Sequence, residues 1–182
     1  MRHIVLIGFM GSGKTKTGKR LAEELGLAFV DVDRKITSEM KMSVTDIFNR
    51  FGEVFFRALE TRAIKELMEE ERRAVISVGG GLPMQEQNHK YLKELGTIVY
   101  LKGSAETLQK RLEGDHARPL LAGSKMDEKI RKMLQTREPV YEKLADVTVL
   151  TGSQPMKKLI REISVKCEMF ENQYYMKSNS TL

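Results

Sequence analysis

Glycine, lysine and threonine residues near the start of the chain are spaced in a way that suits phosphate binding. Residues 8–15 read G-F-M-G-S-G-K-T, which matches the G-x-x-x-x-G-K-T pattern of a phosphate-binding loop. The glycines let backbone N–H groups approach an anion, Lys14 can reach the outer phosphates, and Thr15 can offer its hydroxyl to Mg²⁺. The segment predicts a nucleotide site. The alternative is a glycine-rich turn with an incidental lysine.

The segments on either side of this loop have the character that such a site needs. Residues 4–7 form a short apolar run typical of a buried parallel strand, and residues 16–25 carry apolar side chains at helical spacing before Gly26. A helix that begins near Gly13 points its unpaired N–H groups at the bound anion. The dinucleotide-binding pattern G-x-G-x-x-G fails, because Lys16 stands where its third glycine would be.

A pair of aspartates ends the second apolar segment, which reads "FVDVD" at residues 29–33. By strand alternation, Asp31 and Asp33 share one face at the carboxyl end of the strand. A carboxylate there can hold Mg²⁺ through water or take a proton from a substrate hydroxyl. Asp33 can equally cap the next helix, and the residues alone favour neither interpretation.

Three consecutive glycines, Gly79, Gly80 and Gly81, follow the apolar segment "AVISV". Bare backbone at the end of a strand lets a ligand lie against it and accept hydrogen bonds from its N–H groups. A tight turn would also use glycine, although it needs fewer than three.

Several arginines can pair with a surface carboxylate or grip a substrate carboxylate. Arg57 and Glu60 are three residues apart in the helical segment "FFRALE", where they form either a surface ion pair or a guanidinium held ready for a substrate. Arg118 and Arg137 present the same choice. An arginine on a closing loop can also neutralise a transferred phosphoryl group.

Composition limits the classes of function. The chain has 182 residues and a net charge of +6, a modest excess that suits an anionic small molecule as well as nucleic acid. No basic block is interleaved with aromatic residues, so we expect no nucleic-acid binding. Cys167 is the single cysteine, and no run is long enough to cross a membrane or has the pattern of a signal peptide. We therefore expect a cytoplasmic protein with no membrane partner.

Short apolar segments alternate with longer segments of helical periodicity. This alternation predicts an α/β fold in which helices cover both faces of a mainly parallel sheet. Ligands of such sheets bind at the carboxyl ends of the strands, where the polar residues described above fall. The predicted strands are 4–7, 29–32, 75–78, 97–101 and 147–150, and the predicted helices are 16–25, 33–41, 44–51, 53–70, 85–95, 105–112, 126–144 and 156–171.

Two segments interrupt the alternation. Residues 33–70 form a helical excursion that is too long for a plain crossover. Residues 114–124, "GDHARPLLAGS", are polar and flanked by glycine, as in a mobile cover over a site or in a disordered surface loop.

Taken together, the motifs resemble those of the shikimate kinase family. The resemblance lies in the order and spacing of "GFMGSGKT", "FVDVD", "MSVTDIFNRFGEVFFRALE", "SVGGGLP", "ARPLL" and "TREPVYEKLAD". Many nucleotide-binding proteins share the phosphate-binding loop. The aspartate pair, the "FFRALE" helix and the triple glycine are far more specific.

The resemblance implies a P-loop kinase fold similar to that of nucleoside monophosphate kinases, with a five-stranded parallel sheet, a helical substrate-binding region and a lid. It implies transfer of the ATP γ-phosphoryl group, assisted by Mg²⁺, to the 3-hydroxyl of shikimate on the chorismate route to aromatic amino acids. We expect the enzyme to be a monomer, with ATP and shikimate as its ligands.

The resemblance also assigns roles to individual residues. Lys14, Asp33 and Arg118 would be catalytic, with Asp33 as the base, and Thr15 and Asp31 would serve the metal. The expected nucleotide contacts are Gly11, Ser12, Gly13, Lys14, Thr15, Lys16, Arg111, Arg118 and Pro155. The expected substrate contacts are Asp33, Phe48, Phe56, Arg57, Glu60, Gly79, Gly80, Gly81 and Arg137. Arg57 and Arg137 would grip the shikimate carboxylate, with Glu60 orienting Arg57.

The resemblance extends to about Cys167. It predicts one kinase domain over residues 1–168, with a substrate-binding region at about 33–61 and a lid at about 112–124. We expect residues 169–182 to be a terminal helix that frays into a disordered tail. Thr15 stands where serine is more common but keeps the hydroxyl. "SEMKMSV" lacks a glycine often found before the "MS" pair.

Three other functions remain open from the sequence. Another small-metabolite kinase, such as a gluconate kinase, would also use two arginines, although the triple glycine and the "FFRALE" helix favour shikimate. A GTP-dependent switch would need an N-K-x-D motif, which the sequence lacks. A nucleotide-binding interaction module without turnover would leave the aspartates and arginines without a role.

Overall fold

The five predicted apolar segments form five parallel strands of one sheet. The computed structural model describes residues 2–113, 126–152 and 154–179. The strands lie in the spatial order β2-β3-β1-β4-β5, which confirms the predicted parallel sheet. Their bounds are His3–Ile7 (β1), Ala28–Asp31 (β2), Ala74–Ser77 (β3), Gly96–Gly103 (β4) and Val147–Thr151 (β5).

Helices follow the strands and cover both faces of the sheet. The amphipathic periodicity of these segments gives each helix one apolar side that packs on the sheet. The helices are Lys14–Leu25 (α1), Val32–Met40 (α2), Val44–Met68 (α3), Gln87–Leu95 (α4), Ala105–Leu112 (α5), Met126–Leu144 (α6) and Met156–Asn179 (α7), and a short 3-10 helix spans Leu82–Met84.

Strand alternation divides the core into two apolar layers. Val5 and Ile7 point into the layer that contains side chains of α2, α3, α4 and α6. Ile4 and Leu6 point into the opposite layer, with side chains of α1 and α7. Strand β1 is therefore buried on both sides, and the hydrophobic effect fixes it at the centre of the sheet.

The register of the strands brings their carboxyl ends to one edge. Leu6 of β1 pairs with Ser77 of β3, and Asp31 of β2 pairs with the same Ser77. The segments that leave these strands therefore start side by side. The phosphate-loop residues, the aspartates and the triple glycine all lie at these strand ends.

The aspartate pair is arranged differently from the prediction. Strand β2 ends at Asp31, and Val32 and Asp33 already belong to α2. Asp31 is the N-cap of this helix, because its side chain accepts a hydrogen bond of 3.3 Å from the backbone N–H of Arg34. The capping role that we considered for Asp33 thus belongs to Asp31. Asp33 lies in the first turn of the helix.

A glycine separates the two halves of α3, as the sequence predicted. Gly52 has φ 82° and ψ 170° inside this long helix, a conformation that residues with a Cβ rarely adopt. The break lies between the predicted helices 44–51 and 53–70. It redirects the chain just before Arg57.

The C-terminal helix is longer than predicted. α7 continues to Asn179, past the predicted helix end at residue 171, and the predicted fraying of the tail stays a prediction. Phe170 packs against the core, and Glu171 accepts hydrogen bonds from Arg73 and Thr97. These contacts hold the helix to the domain at residues 170 and 171. No helix within the described ranges has the length and apolar character needed to cross a membrane.

Candidate active site

The loop after β1 forms a cradle of backbone around the start of α1. Gly8, Gly11 and Gly13 have positive φ values of 145°, 78° and 92°, which turn successive N–H groups toward one side. Lys14 Nζ donates hydrogen bonds of 2.9 Å to Gly8 O and 3.1 Å to Phe9 O. In the described part of the chain, the buried Ser12 hydroxyl has no hydrogen-bond partner, which suits a loop that completes its bonding with a ligand.

Two oxygen ligands meet beside this cradle. Thr15 Oγ1 donates a 2.7 Å hydrogen bond to Asp31 Oδ2. Hydroxyl and carboxylate oxygens are the ligands that Mg²⁺ prefers, so this pair fits a magnesium ion next to bound phosphates. No group of three or more His, Cys, Asp or Glu side chains suited to a metal occurs in residues 2–113, 126–152 or 154–179. A cation at Thr15 and Asp31 would therefore need phosphate or water as further ligands.

A cavity of about 760 Å³ opens beside the two metal-ligand candidates. It joins the carboxyl ends of β2 and β3 to the helical excursion of α2 and α3. Its walls include most of the side chains predicted to bind substrate. They are Asp33, Phe48, Arg57, Glu60, Gly79, Gly80, Gly81 and Arg137, together with Thr15 and Asp31.

Arg57 is fixed in the wall of this cavity from two sides. Its Nη1 donates a 2.7 Å hydrogen bond to Glu60 Oε2, and its Nε and Nη2 donate to Glu53 Oε1 at 3.1 and 2.7 Å. The guanidinium lies flat on Gly81, where any Cβ would overlap it. Such a preorganised fork loses little entropy when it binds a carboxylate. Glu60, the predicted partner, accepts a hydrogen bond from Arg57, and Glu53 is an additional partner; the orienting role of Glu60 stays a prediction.

Glu60 is a buried acid next to the predicted base. Its side chain has no solvent exposure, and burial raises its pKa from 4.5 to about 7, although the nearby Arg57 guanidinium opposes that rise. A Cβ on Gly79 would overlap Glu60 Oε1 and lie 2.8 Å from Asp33 Oδ1. Gly79 is therefore needed because it lets two carboxyl groups approach its Cα.

Two aromatic rings predicted to contact substrate lie in different places. Phe48 lines the cavity. Phe56 is buried and packs against Phe48, with a ring centroid distance of 4.9 Å. Phe56 therefore supports the wall from behind and is not among the residues that face the cavity.

Residues 10–168 match the family model described as shikimate kinase. The chain belongs to the shikimate kinase family. Shikimate kinase from Thermodesulfovibrio yellowstonii is 42% identical over 165 residues, which cover 89% of this chain and 95% of that protein.

Solved structures show the same relationship. Shikimate kinase from Acinetobacter baumannii, in complex with shikimate, is 36% identical, with a TM-score of 0.85 and coverage of 90% of each chain. A gluconokinase from Sinorhizobium meliloti is 22% identical, with a TM-score of 0.61 and coverage of 96% of this chain and 97% of that one. The second likeness shows the fold alone. The gluconate alternative is thus the more distant one.

Three residues expected to contact the nucleotide do not line the cavity. Arg111 Nη1 donates to Gly11 O at 3.1 Å and to Ser12 O at 3.4 Å. The exposed Pro155 lies just before α7, and Lys16 is exposed on the first turn of α1. Arg118 and the core of the predicted lid lie outside the described residues, so the role of Arg118 stays a prediction.

Several residues of the site were not predicted from the sequence. The cavity wall also contains Met10, Arg34, Thr37, Ser43, Val44 and Thr45. Tyr141 is a further omission, because its hydroxyl donates a 2.6 Å hydrogen bond to Gly80 O. A signal for Tyr141 was present, since it stands four residues after Arg137 and so shares a helix face with it.

Proposed function

We propose that this protein transfers the γ-phosphoryl group of ATP to the 3-hydroxyl of shikimate. The products would be ADP and shikimate 3-phosphate, in the route to chorismate and the aromatic amino acids. One observation carries the proposal. Arg57, Arg137 and Asp33 line a single cavity whose other end is the phosphate-binding loop. A carboxylate and a hydroxyl of one small acid can therefore be bound with the hydroxyl directed at a nucleotide.

The substrate carboxylate would lie between the two arginines. Three hydrogen bonds to glutamates use three of the five N–H donors of Arg57. Arg137 is on α6, and its guanidinium carbon lies 5.7 Å from the centre of the Phe9 ring. Two guanidinium groups from different helices can neutralise the charge of a planar carboxylate and fix its orientation. Phe48 and the backbone of Gly79–Gly81 would bound the ring of the acid.

Asp33 is the residue we propose as the base. It lies in the first turn of α2 and faces the cavity. A carboxylate within reach of the substrate hydroxyl accepts its proton as the bond to phosphorus forms. The neighbouring Glu60 has a raised pKa, chiefly because it is buried.

The nucleotide would be bound by the loop and by the start of α1. Backbone N–H groups of Gly11–Thr15 would surround the β-phosphate, and Lys14 would reach the transferring group. Thr15 and Asp31 would hold Mg²⁺, which when bound would offset phosphate charge. Arg118 is proposed, from the family resemblance, to neutralise the phosphoryl group from the other side. Arg111 and Pro155 are proposed to contact the adenine.

We also propose that the enzyme acts as a monomer in the cytoplasm. Asp33, Arg57 and Arg137 line one cavity within a single chain, which agrees with a monomer. The single cysteine, Cys167, is buried in the core, as suits a protein of a reducing compartment. Light scattering during gel filtration checks the oligomeric state.

An ADP-release assay with competing acids tests the proposed function. Purified protein with ATP and magnesium should release ADP rapidly when shikimate is added, and only at a background rate with gluconate or with no acid. Equal rates of ADP release with gluconate and shikimate would favour the alternative function, that of a gluconate kinase. Release that is independent of any acid would reduce it to an ATPase, and no release at all would favour a binding module.

A further inference from the structure

Gly80 lies where the phosphate loop, the substrate cavity and α6 meet. A Cβ built on Gly80 would lie 3.2 Å from Gly8 O, 3.4 Å from Tyr141 Oη and 3.5 Å from Met10 N. The positive-φ glycines of the described chain do not include Gly80. A side chain here would therefore be tight against Gly8 O, and it would not be strained by an unusual backbone angle.

Tyr141 holds this junction through one buried hydrogen bond. Its side chain has no solvent exposure, and its hydroxyl donates to Gly80 O at 2.6 Å. Burial raises the pKa of Tyr141 to about 12, so the hydroxyl remains a donor at physiological pH. Because Gly80 O is an acceptor beside the site, loss of the hydroxyl would remove a bond that other described side chains do not replace.

The same helix turn carries one of the two proposed carboxylate-binding arginines. Tyr141 follows Arg137 by four residues, so both side chains leave the same face of α6. The Arg137 charge acts on Tyr141, since it opposes the rise of the tyrosine pKa. The ring of Tyr141 packs against Tyr100 of β4 at a centroid distance of 5.2 Å. The position of the hydroxyl is thus fixed by the sheet and not by the cavity.

We propose that Tyr141 is a positioning residue, whose hydroxyl sets the spacing between the Gly79–Gly81 backbone and Arg137. Its side chain is not among those that line the cavity. It joins two parts of the acid-binding wall that come from distant segments of the chain. The effect on kinetics rests on the proposed function. The tether, by which we mean the hydrogen bond from Tyr141 to Gly80 O, is a property of the protein without ligands.

The variant Tyr141→Phe removes the hydroxyl and keeps the ring. Because one buried hydrogen bond is lost next to the acid site, the KM for shikimate should rise about three- to thirtyfold. The KM for ATP should stay within about twofold, since the variant leaves the loop from Gly11 to Thr15 intact. Tyr100→Phe is the matched control. It removes a hydroxyl from the ring partner, which is also buried, and should leave both KM values unchanged.

Hydrogen exchange of the free enzyme tests the tether independently of activity. Amides in a peptide covering Gly79–Met84 should exchange faster in Tyr141→Phe than in the wild type, and Tyr100→Phe should match the wild type there. If exchange were faster in Tyr141→Phe but the wild type did not phosphorylate shikimate, the role of the Tyr141–Gly80 hydrogen bond would be supported and only the proposed function would be wrong. Unchanged exchange in this peptide would overturn the tether.

A second variant tests the inference in case Tyr141→Phe does not fold. Gly80→Ala places a methyl group at the same junction, near both Tyr141 Oη and Gly8 O of the phosphate loop, so it should raise the KM for shikimate and also the KM for ATP. In the double variant with Tyr141→Phe, the two increases in the KM for shikimate should be less than multiplicative, because both act on one contact. Fully multiplicative effects, or a KM for shikimate that stays at the wild-type value in Tyr141→Phe, would overturn the inference.

Discussion

Glu60 Oε2 accepts a 2.7 Å hydrogen bond from Arg57 Nη1, and the Glu60 side chain is completely shielded from solvent. In the described part of the chain, its other oxygen, Oε1, has no hydrogen-bond partner. A carboxyl group in this position is stabilised by Arg57 when ionised and by burial when protonated. The balance raises its pKa to about 7, so Glu60 is sensitive to pH near neutrality.

The free energy of unfolding should therefore depend on pH through Glu60. The folded pKa of about 7 lies above the ordinary value of 4.5, so folded protein binds the proton more tightly. The stability from this group is fully present below pH 4.5 and is lost as pH rises through about 7. Urea unfolding from about pH 5.5 to about pH 8 should show a loss on the order of 1–3 kcal/mol in the wild type and a much smaller one in Glu60→Gln.

A control on the same helix separates this effect from general titration. Glu66 is exposed and pairs with Lys35 at 3.0 Å. Glu66→Gln should retain the wild-type dependence of stability on pH. If Glu60→Gln also retained it, the buried carboxyl would not be its source.

Substitution of Arg57 by lysine should weaken binding of the acid and spare the nucleotide. Lysine keeps the charge but loses the planar fork that Glu53 and Glu60 hold in place. The KM for shikimate should rise about tenfold to a hundredfold, as expected for a lost charge-assisted bond, with the KM for ATP nearly unchanged. Steady-state kinetics with each substrate varied in turn measures the two values.

The neighbouring arginine provides the comparison for that experiment. Arg62 is on the same helix and forms ion pairs with Glu39 at 2.7 Å and Glu66 at 3.3 Å, but it does not line the cavity. Arg62→Lys should leave both KM values close to those of the wild type. An Arg57→Lys enzyme with unaltered shikimate kinetics would show that this arginine does not bind the substrate.

Alanine at Gly79 should damage the site through crowding alone. The added methyl group would overlap Glu60 Oε1 and lie 2.8 Å from Asp33 Oδ1. We expect the variant to lose about 1–3 kcal/mol of stability and most of its turnover. Gly103→Ala is a milder control, because its methyl group would meet the flexible end of Leu108 at 3.1 Å. Thermal unfolding and kcat of the two variants should differ accordingly; similar values would contradict this role of Gly79.

Much of the fold followed from local patterns in the sequence. Short apolar runs placed all five strands, and the G-x-x-x-x-G-K-T segment predicted a helix start near Gly13, close to the observed start of α1 at Lys14. The gap between the predicted helices 44–51 and 53–70 coincides with Gly52, whose φ of 82° suits glycine. Local rules were sufficient at these positions.

Other features depend on contacts between distant residues, which local rules do not contain. Alternation in "FVDVD" could not show that the strand ends at Asp31, because this side chain is also held by the distant Thr15 hydroxyl of α1 while it caps α2. The reason for three glycines also lies in tertiary packing. Gly79, Gly80 and Gly81 lie close to the side chains of Glu60, Tyr141 and Arg57 respectively. The spacing of residues in the sequence does not reveal these contacts. The continuation of α7 likewise depends on bonds from Arg73 and Thr97 to Glu171.

The most direct test of the central claim is to follow the phosphoryl group itself. Phosphorus NMR of the protein with ATP, magnesium and shikimate should show ADP and one new phosphate ester, formed in equal amounts. The shikimate proton on carbon 3 should couple to that phosphorus. Asp33→Asn, which keeps the shape of the side chain but not its basicity, should form the ester at a small fraction of the wild-type rate. Inorganic phosphate in place of the ester, or no ADP in the presence of shikimate, would contradict the account.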